Sequence, residues 1–221
     1  SSQIESEVHQ RYQAWTPKPD YLLLIGDQDK VPGEFNSSHP TDLYFVCMGS
    51  GNDYYPDMAK GRISVNSPTQ AVDVVQKIIS YEKNPVQDSS FYQTGLNCAY
   101  FQHAGNGYAE RRFAQTSENI RDYVNDTLGY TVNRVYYTSS SVNPTNWNNG
   151  SYSNGEPIPT SLLKPGFAWD GDYADIINKI NAGSFYVFHR DHGFTDGWGD
   201  PYFTKTHINS LSNGTKQPVV F

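Results

Sequence analysis

The sequence predicts an α/β fold with a mainly parallel β-sheet flanked by helices. Short apolar runs rich in β-branched and aromatic residues alternate along the chain with longer amphipathic segments. This alternation is typical of βαβ units, in which each helix returns the chain to the same edge of the sheet. The pattern restarts after a Pro- and Ser-containing stretch at 84–90. We therefore expect two subdomains, 1–87 and 88–221.

The first subdomain begins with the end of a helix and then alternates strands with one further helix. Its predicted elements are a helix over 3–15, strands over 21–25, 42–48 and 61–65, and a helix over 67–83. The apolar run at 21–25 ends at a Gly-Asp turn, as a parallel strand buried on both faces does. The last helix has the clearest start, because Ser67 is a good N-cap and Pro68 suits the first helical position. Arg62 is expected to pair with a buried carboxylate.

The second subdomain repeats the alternation around one long loop. We predict strands over 96–101, 132–137, 185–188 and 218–221, and helices over 117–128, 172–182 and 206–211. A loop as long as 138–169 is usually functional or mobile. Its aromatic residues Trp147, Tyr152 and Trp169 either line a substrate cleft or pin the loop. Cys47 and Cys98 lie inside apolar runs and are expected to be buried core residues.

Composition excludes several classes of function. The chain has 16 Lys and Arg against 23 Asp and Glu, a formal charge of −7, and no basic cluster that would bind nucleic acid. No apolar stretch approaches the length of a transmembrane helix, and no signal peptide opens the sequence. Two cysteines cannot form a disulfide framework, so they do not settle the redox compartment.

A histidine follows the most apolar strand of the chain. The run Ser184-Phe-Tyr-Val-Phe ends near His192, which is followed by Gly193 and a loop of Gly, Asp and Trp. In parallel sheets, side chains just past the carboxyl ends of strands meet the substrate. A histidine there is well placed to act as a general base. The obvious partner is a nucleophile on the next strand, whereas His189, inside the strand, is expected to be structural.

Several separated segments together resemble one family. The chain is similar to the gingipain-like cysteine peptidases of the caspase-like clan over nearly its whole length. The segments that carry the resemblance are Tyr21–Gly33, Thr41–Phe45, Asp53–Val65, Ile79–Pro85, Asp191–Gly193, Trp198–Pro201 and Thr206–Leu211.

This resemblance implies a caspase-like fold and a Cys–His mechanism. The range 1–87 then closes the first, non-catalytic subdomain, and 88–221 forms most of the catalytic one. His192 is the general base, and the N–H of Gly193 belongs to the oxyanion hole. The cysteine falls a few positions beyond Phe221, so the chain resembles a fragment that stops just before its nucleophile. The resemblance also implies secretion or display at a bacterial cell surface. A protein or peptide substrate and the remainder of the same polypeptide are the expected partners.

Two departures from the family concern the residues around the histidine. The family has an acidic residue just after the strand over 96–101, where it orients the histidine, and this chain has Gln102 there. Arg-specific members use an Asp near the position of Phe113 or Ala114. A catalytic triad and a dyad therefore both remain open. The candidates for orienting His192 or lining a substrate pocket are Asp191, His103, Glu110 and Trp198.

The predicted function is that of a secreted cysteine endopeptidase that needs no cofactor. The resemblance allows a structural calcium ion, while the metal-ligating residues remain unknown. A zinc hydrolase built on His189, Asp191, His192, Asp196 and Asp200 is disfavoured, because neighbours on a strand point to opposite faces. Two further alternatives stay open, namely a sortase-like peptidase that removes C-terminal signals and a catalytically inactive binding module.

Overall fold

The computed structural model describes residues 2–36, 39–103, 105, 107–148 and 155–221. The chain forms two compact units, residues 1–85 and 86–221, and the predicted boundary lies two residues past this division. Among the described residues no helix is long and apolar enough to cross a membrane. The helices and strands of the first unit are α1 (Ser2–Ala14), β1 (Tyr21–Ile25), β2 (Glu34–Asn36), β3 (His39–Thr41), β4 (Ala59–Ile63) and α2 (Pro68–Lys83).

The first unit is organised around a parallel pair of strands, β1 and β4, in which Tyr21 lies opposite Ala59. The strand predicted over 42–48 is wrong, because Leu43–Val46 forms a 3₁₀ helix. Phe45 and Val46 in this helix are fully buried. A short apolar run is compatible with a buried strand or a buried helical turn, and periodicity alone does not distinguish the two.

Arg62 of β4 pairs with a carboxylate, as predicted. Its guanidinium donates two hydrogen bonds to the carboxylate of Asp42, with N–O distances of 2.8 and 2.6 Å. It also donates to the carbonyl oxygens of Gly26 and Val31, at 2.6 and 2.8 Å. The hydrogen bonds from Arg62 lower the pKa of Asp42. One side chain therefore fixes the loop after β1 and anchors the segment before the 3₁₀ helix.

The helices and strands of the second unit are α3 (Ser89–Tyr92), β5 (Thr94–Tyr100), α4 (Phe113–Asp122), β6 (Thr131–Tyr137), α5 (Tyr173–Gly183), β7 (Tyr186–Arg190), β8 (Gly193–Phe194), β9 (Gly197–Trp198), β10 (Phe203–Thr204), α6 (Lys205–Ile208) and β11 (Val219–Val220). Four of the strands form a parallel sheet in the order β11-β7-β5-β6. A small antiparallel sheet, β10-β9-β8, follows β7 in sequence. The parallel sheet with its helices confirms the predicted α/β class.

The central strand β5 is buried on both faces because helices cover both sides of the sheet. Leu96 and Cys98 belong to the same apolar cluster as Ile176 of α5. On the opposite face, the side-chain amide of Asn97 donates to the carbonyl oxygen of Ser117 in α4, at 2.7 Å. An apolar run without polar alternation is what such a strand requires.

The segment predicted as a long loop, 138–169, contributes five of its described residues to an apolar cluster distinct from that of Leu96 and Cys98. Val142, Trp147, Ile158, Leu162 and Trp169 are all buried there. The indole N–H of Trp169 donates to the carbonyl oxygen of Leu162 at 2.7 Å, and Trp169 has a left-handed φ of 57°. The two described tryptophans of this loop therefore pin it to the core. Tyr152 lies outside the described residues.

A buried ion pair joins α4 to β6. The guanidinium of Arg134 donates to both carboxylate oxygens of Glu118, at 2.7 and 2.6 Å. The hydroxyl of Tyr136 donates to the same carboxylate at 2.7 Å. The side chain of Glu118 is 4% exposed, so the carboxylate depends on these three hydrogen bonds to replace water.

We expect Glu118→Gln to lower the free energy of unfolding by about 2–3 kcal/mol, because the buried guanidinium loses its counter-charge. Urea unfolding followed by tryptophan fluorescence measures this, since three of the four tryptophans lie in the second unit. Asp196→Asn is the matched control. It breaks an ion pair with Lys205 whose side chains are more than half exposed, and should cost less than about 1 kcal/mol. Equal losses in the two variants would show that the Glu118–Arg134 pair stabilises the fold no more than an exposed ion pair does.

Candidate active site

The site lies at the carboxyl edge of the parallel sheet, where β5 and β7 end side by side. These strands pair in a register that places Ala99 opposite Arg190. Gln102 follows β5 and His192 follows β7 at the same edge. The two side chains meet there, with 3.0 Å between the Gln102 Oε1 and His192 Nε2 atoms. The sequence identified both positions but did not predict this hydrogen bond.

The ring of His192 is exposed, yet three contacts hold the residue. Besides the hydrogen bond to Gln102, the ring packs edge-to-face on Phe113, the first residue of α4, with 5.3 Å between the centroids. The backbone carbonyl of His192 accepts a hydrogen bond from the N–H of Gly199 at 2.7 Å. Both the ring and the backbone of His192 are therefore positioned by the surrounding loops.

Glu110 contacts Gln102 rather than the histidine. The side-chain amide nitrogen of Gln102 donates to the Glu110 carboxylate at 2.9 Å, and the Glu110 N–H donates to the Gln102 carbonyl oxygen at 2.6 Å. Gln102 thus lies between an acidic residue and the histidine.

Asp191 fixes the loop that follows the histidine. Its Oδ2 atom accepts a hydrogen bond from the N–H of Asp200 at 2.5 Å. A Cβ atom at Gly199 would overlap Asp191 Oδ2, so only glycine permits this close approach. The structure records no hydrogen bond between Asp191 and either neighbouring histidine ring among the described residues. Its carboxylate therefore anchors backbone instead of orienting His192.

His189 and Trp198 form a stacked pair beneath this loop. Their ring centroids lie 4.4 Å apart, and the planes are 7° from parallel. Burial lowers the pKa of His189 to about 4, although the Asp191 carboxylate acts in the opposite direction. Phe203 packs against Trp198, with 5.2 Å between their ring centroids. The indole of Trp198 therefore belongs to the packing of the loop, and His189 is a structural histidine, neutral at pH 7.

Gly193 and His103 follow β7 and β5, the two strands that end at this edge of the sheet. Gly193 directly follows His192, is exposed, and pairs with Trp198 in the small antiparallel sheet. His103 is exposed and lines a cavity of about 400 Å³ together with Ser141, Asn143 and Thr145. Its Nδ1 atom accepts a hydrogen bond from the N–H of Gly105 at 3.3 Å. The structure does not bring His103 into contact with His192.

Phe113, which the resemblance aligns near the specificity residue of Arg-specific members, contacts His192, and Arg190, which the sequence did not assign to the site, lies against Phe113. The guanidinium of Arg190 lies 5.7 Å from the ring centroid of Phe113, and Phe113 contacts His192. Ala114, the alternative position for an acidic specificity residue, is buried in the core. The aromatic ring at the start of α4 is therefore the side chain that faces the histidine.

Both cysteines of the chain are buried and unpaired. Burial raises the pKa of the Cys98 thiol and that of the Cys47 thiol, which disfavours the reactive thiolate. As predicted, neither residue has the environment of a nucleophile. Within the described part of the chain, no group of three or more His, Cys, Asp or Glu side chains has a geometry that would hold a metal ion.

Comparison with known proteins identifies the family. The sequence model of peptidase family C25 matches residues 1–221. The chain belongs to peptidase family C25. It is 26% identical over 223 residues to Lys-gingipain of Porphyromonas gingivalis, covering 98% of this chain and 11% of that protein. It is also 24% identical to gingipain R2 of the same species, covering 99% of this chain and 25% of that protein.

Solved structures confirm the caspase-like fold. The crystal structure of the Arg-specific cysteine proteinase gingipain R matches this family C25 chain with a TM-score of 0.75 and 21% identity, covering all of this chain and 44% of that one. A complex of the pro- and mature domains of a Porphyromonas gingivalis gingipain matches equally well, with a TM-score of 0.75 and 20% identity. The chain thus spans less than half the length of these relatives.

The His189–Trp198 pair makes stability depend on pH. The folded pKa of His189, about 4, lies below the ordinary value of 6.5. As the pH falls from about 6.5 toward 4, His189 binds a proton in the unfolded chain before it does so in the folded one. The free energy of unfolding therefore decreases over this pH range. Between pH 7 and pH 5 we expect a loss of about 1 kcal/mol from this residue, after allowing for the partial exposure of the ring.

His189→Phe keeps a flat ring on Trp198 and removes the titrating group. Urea unfolding at the two pH values should show a smaller loss in this variant than in the parent. His103→Asn, at an exposed histidine, serves as the control and should lose as much stability as the parent. Equal losses in the parent and in His189→Phe would show that His189 does not titrate as the structure implies.

Proposed function

We propose that this chain is part of a cysteine endopeptidase of gingipain type in which His192 is the general base. The observation that carries the proposal is the place of His192, at the carboxyl end of β7 beside the parallel strand β11. The N–H of Phe221 donates to the carbonyl oxygen of Val187 at 2.9 Å, and the N–H of His189 donates to the carbonyl oxygen of Phe221 at 3.0 Å. The next strand therefore runs toward the histidine.

The register of this pairing indicates where the nucleophile falls. Val219 lies opposite Tyr186, and Val220 lies opposite Val187. Continued in the same register, a residue about four positions past Phe221 lies opposite His192. Adjacent parallel strands are about 4.8 Å apart, so the side chains of such a pair reach each other. A cysteine there completes a Cys–His pair.

The proposed reaction uses the two groups in turn. The imidazole of His192 takes the thiol proton, and the thiolate sulfur attacks the carbonyl carbon of the peptide bond. The N–H of Gly193 donates to the developing oxyanion. When the C–N bond breaks, the imidazolium returns its proton to the leaving amine, and a thioester remains. Water then attacks the thioester carbonyl and loses its proton to the imidazole. The C–S bond breaks, the carboxylic acid product leaves, and the thiolate recovers its proton from the imidazolium. This sequence requires neither a metal nor a cofactor, and a structural calcium ion stays a prediction.

The substrate is a protein or peptide, and the remainder of the same polypeptide is a second partner. We place the protein outside the bacterial cell or at its surface, as the family resemblance implies. The family resemblance aligns Phe113 or Ala114 near the Asp of Arg-specific members. Phe113 contacts His192 and Ala114 is buried, so neither position supplies a carboxylate. We therefore expect no preference for Arg at the cleaved bond.

Two alternatives share this site. A sortase-like enzyme forms the same thioester and resolves it with an amine in place of water. An inactive binding module retains the fold without the nucleophile, and the neutral side chain of Gln102 at the family's acidic position favours it. The residue at the nucleophile position separates the cases, since cysteine supports an enzyme and serine or glycine supports the binding module.

Labelling with iodoacetamide tests the proposal on the full-length polypeptide, because this reagent has no preference for a substrate side chain. Peptide mass spectrometry should find rapid modification of a cysteine about four residues past Phe221. Cys47 and Cys98, both buried, should stay unmodified and serve as internal controls.

His192→Ala should slow this modification about 100-fold, because the base that forms the thiolate is gone. His9→Ala, at a histidine of α1 in the other compact unit, is the matched control and should leave the rate unchanged. Modification that is slow in the parent, or insensitive to His192, would favour the binding module.

A further inference from the structure

We propose that Gln102, held by Glu110, is a positioning residue that fixes the protonation pattern of His192 and makes Nδ1 its basic nitrogen. The inference rests on the proposed function and deepens it. The structural basis is a continuous chain of hydrogen bonds, from the Glu110 carboxylate through the Gln102 amide to the His192 ring.

The direction of this chain follows from the chemistry of its outer member. An ionised carboxylate only accepts hydrogen bonds. The side-chain atom of Gln102 that faces Glu110, at 2.9 Å, must therefore be the NH₂ group. The backbone hydrogen bond from the Glu110 N–H to the Gln102 carbonyl oxygen, at 2.6 Å, holds the two residues in this relation. Glu110 thus sets which way the Gln102 amide points.

The orientation of the amide then sets the tautomer of the histidine. With its NH₂ group on Glu110, Gln102 presents its carbonyl oxygen to His192 Nε2 at 3.0 Å. A carbonyl oxygen cannot donate, so Nε2 must carry the hydrogen. In the neutral ring the lone pair is consequently on Nδ1. The structure gives Nδ1 no hydrogen-bond partner among the described residues, so this nitrogen is available to the nucleophile.

The ring is also prevented from turning over. Rotation by 180° would move Nε2 away from Gln102 and leave the amide oxygen without this hydrogen bond. The edge-to-face contact with Phe113, with planes at 90°, further restricts the ring. Because an amide oxygen accepts from the neutral ring and from the imidazolium alike, the arrangement persists when His192 gains and loses its proton.

This arrangement differs electrostatically from one with an acid in direct contact with the ring. A carboxylate beside the imidazolium would stabilise its positive charge, whereas the amide of Gln102 orients the ring without adding a charge. The carboxylate of Glu110 lies one residue further away and acts on the amide. Gln102 therefore orients the ring, and Glu110 orients Gln102.

The experiment combines histidine NMR with kinetics on the full-length polypeptide. In protein labelled with ¹³C and ¹⁵N at histidine, the His192 shifts should report a predominant Nε2–H tautomer. Gln102→Leu removes the acceptor, so the tautomers should mix, and kcat should fall about 10- to 100-fold with little change in KM. Glu110→Gln should mix the tautomers partly, because an amide at position 110 either donates or accepts and no longer sets the orientation of Gln102.

Gln102→Glu combined with Glu110→Gln retains the acceptor and adds the missing charge, since residue 102 would otherwise set a second carboxylate against Glu110 at the 2.9 Å contact. It should keep the Nε2–H tautomer and most of kcat, while the His192 limb of the pH–rate profile moves up by about one pH unit. Gln93→Leu is the matched control, since Gln93 is exposed at the opposite end of β5 and should change no readout.

An unchanged tautomer in Gln102→Leu would overturn the proposal, as would an unshifted pH profile in the variant that combines Gln102→Glu with Glu110→Gln. The experiments distinguish a failure of the proposed peptidase function from a failure of the proposed role of Gln102. Absence of peptidase activity in every form would refute the proposed function, whereas the NMR measurement tests the role of Gln102 without any turnover.

Discussion

The site depends on one constraint, the parallel direction of β5, β7 and β11. Parallel strands end at the same edge of a sheet, so the residues that follow them meet without any long loop to bring them together. Gln102 and His192 are in contact for this reason, although 90 positions separate them in sequence. Burial of β5 on both faces enforces the arrangement, because a shift in register would move apolar side chains out of their clusters.

Contacts within the loop after β7 hold the residues next to His192 in one arrangement, and this arrangement leaves two polar atoms buried without hydrogen bonds to any described residue. Asp191 holds the N–H of Asp200, and Trp198 stacks on His189. His189 Nε2 and Asp191 Oδ1 are nevertheless buried without hydrogen-bond partners among the described residues. A buried polar atom left in this way costs about 1–3 kcal/mol. Trp198 packs in turn against Phe203, and the N–H of Gly199 holds the carbonyl oxygen of His192 in place.

The sequence predicted the strands of the sheet well and the irregular segments poorly. The run at 96–101 has the length and the mostly apolar composition of a central parallel strand. Helix α5 has a clear start at Asp172, which caps it, whereas α4 has no side-chain cap and begins before its predicted start. By contrast, Leu43–Val46 has no periodicity that separates a helical turn from a strand. Trp169 packs in the core with a left-handed backbone conformation that no local sequence pattern predicts. His192 was found from its place after a strand, but the contacts of Gln102 depend on residues distant in sequence.

The neutral side chain of Gln102 has a consequence for how a thiolate would form. A Cys–His site that works as a preformed ion pair benefits from a carboxylate against the imidazolium, because opposite charges at hydrogen-bond distance stabilise the charged form. An amide provides orientation alone. The Arg190 guanidinium lies over Phe113, and Phe113 in turn contacts the His192 ring. In the proposed mechanism the imidazole therefore removes the thiol proton as the sulfur attacks, and Gln102 and Glu110 set its tautomer in advance.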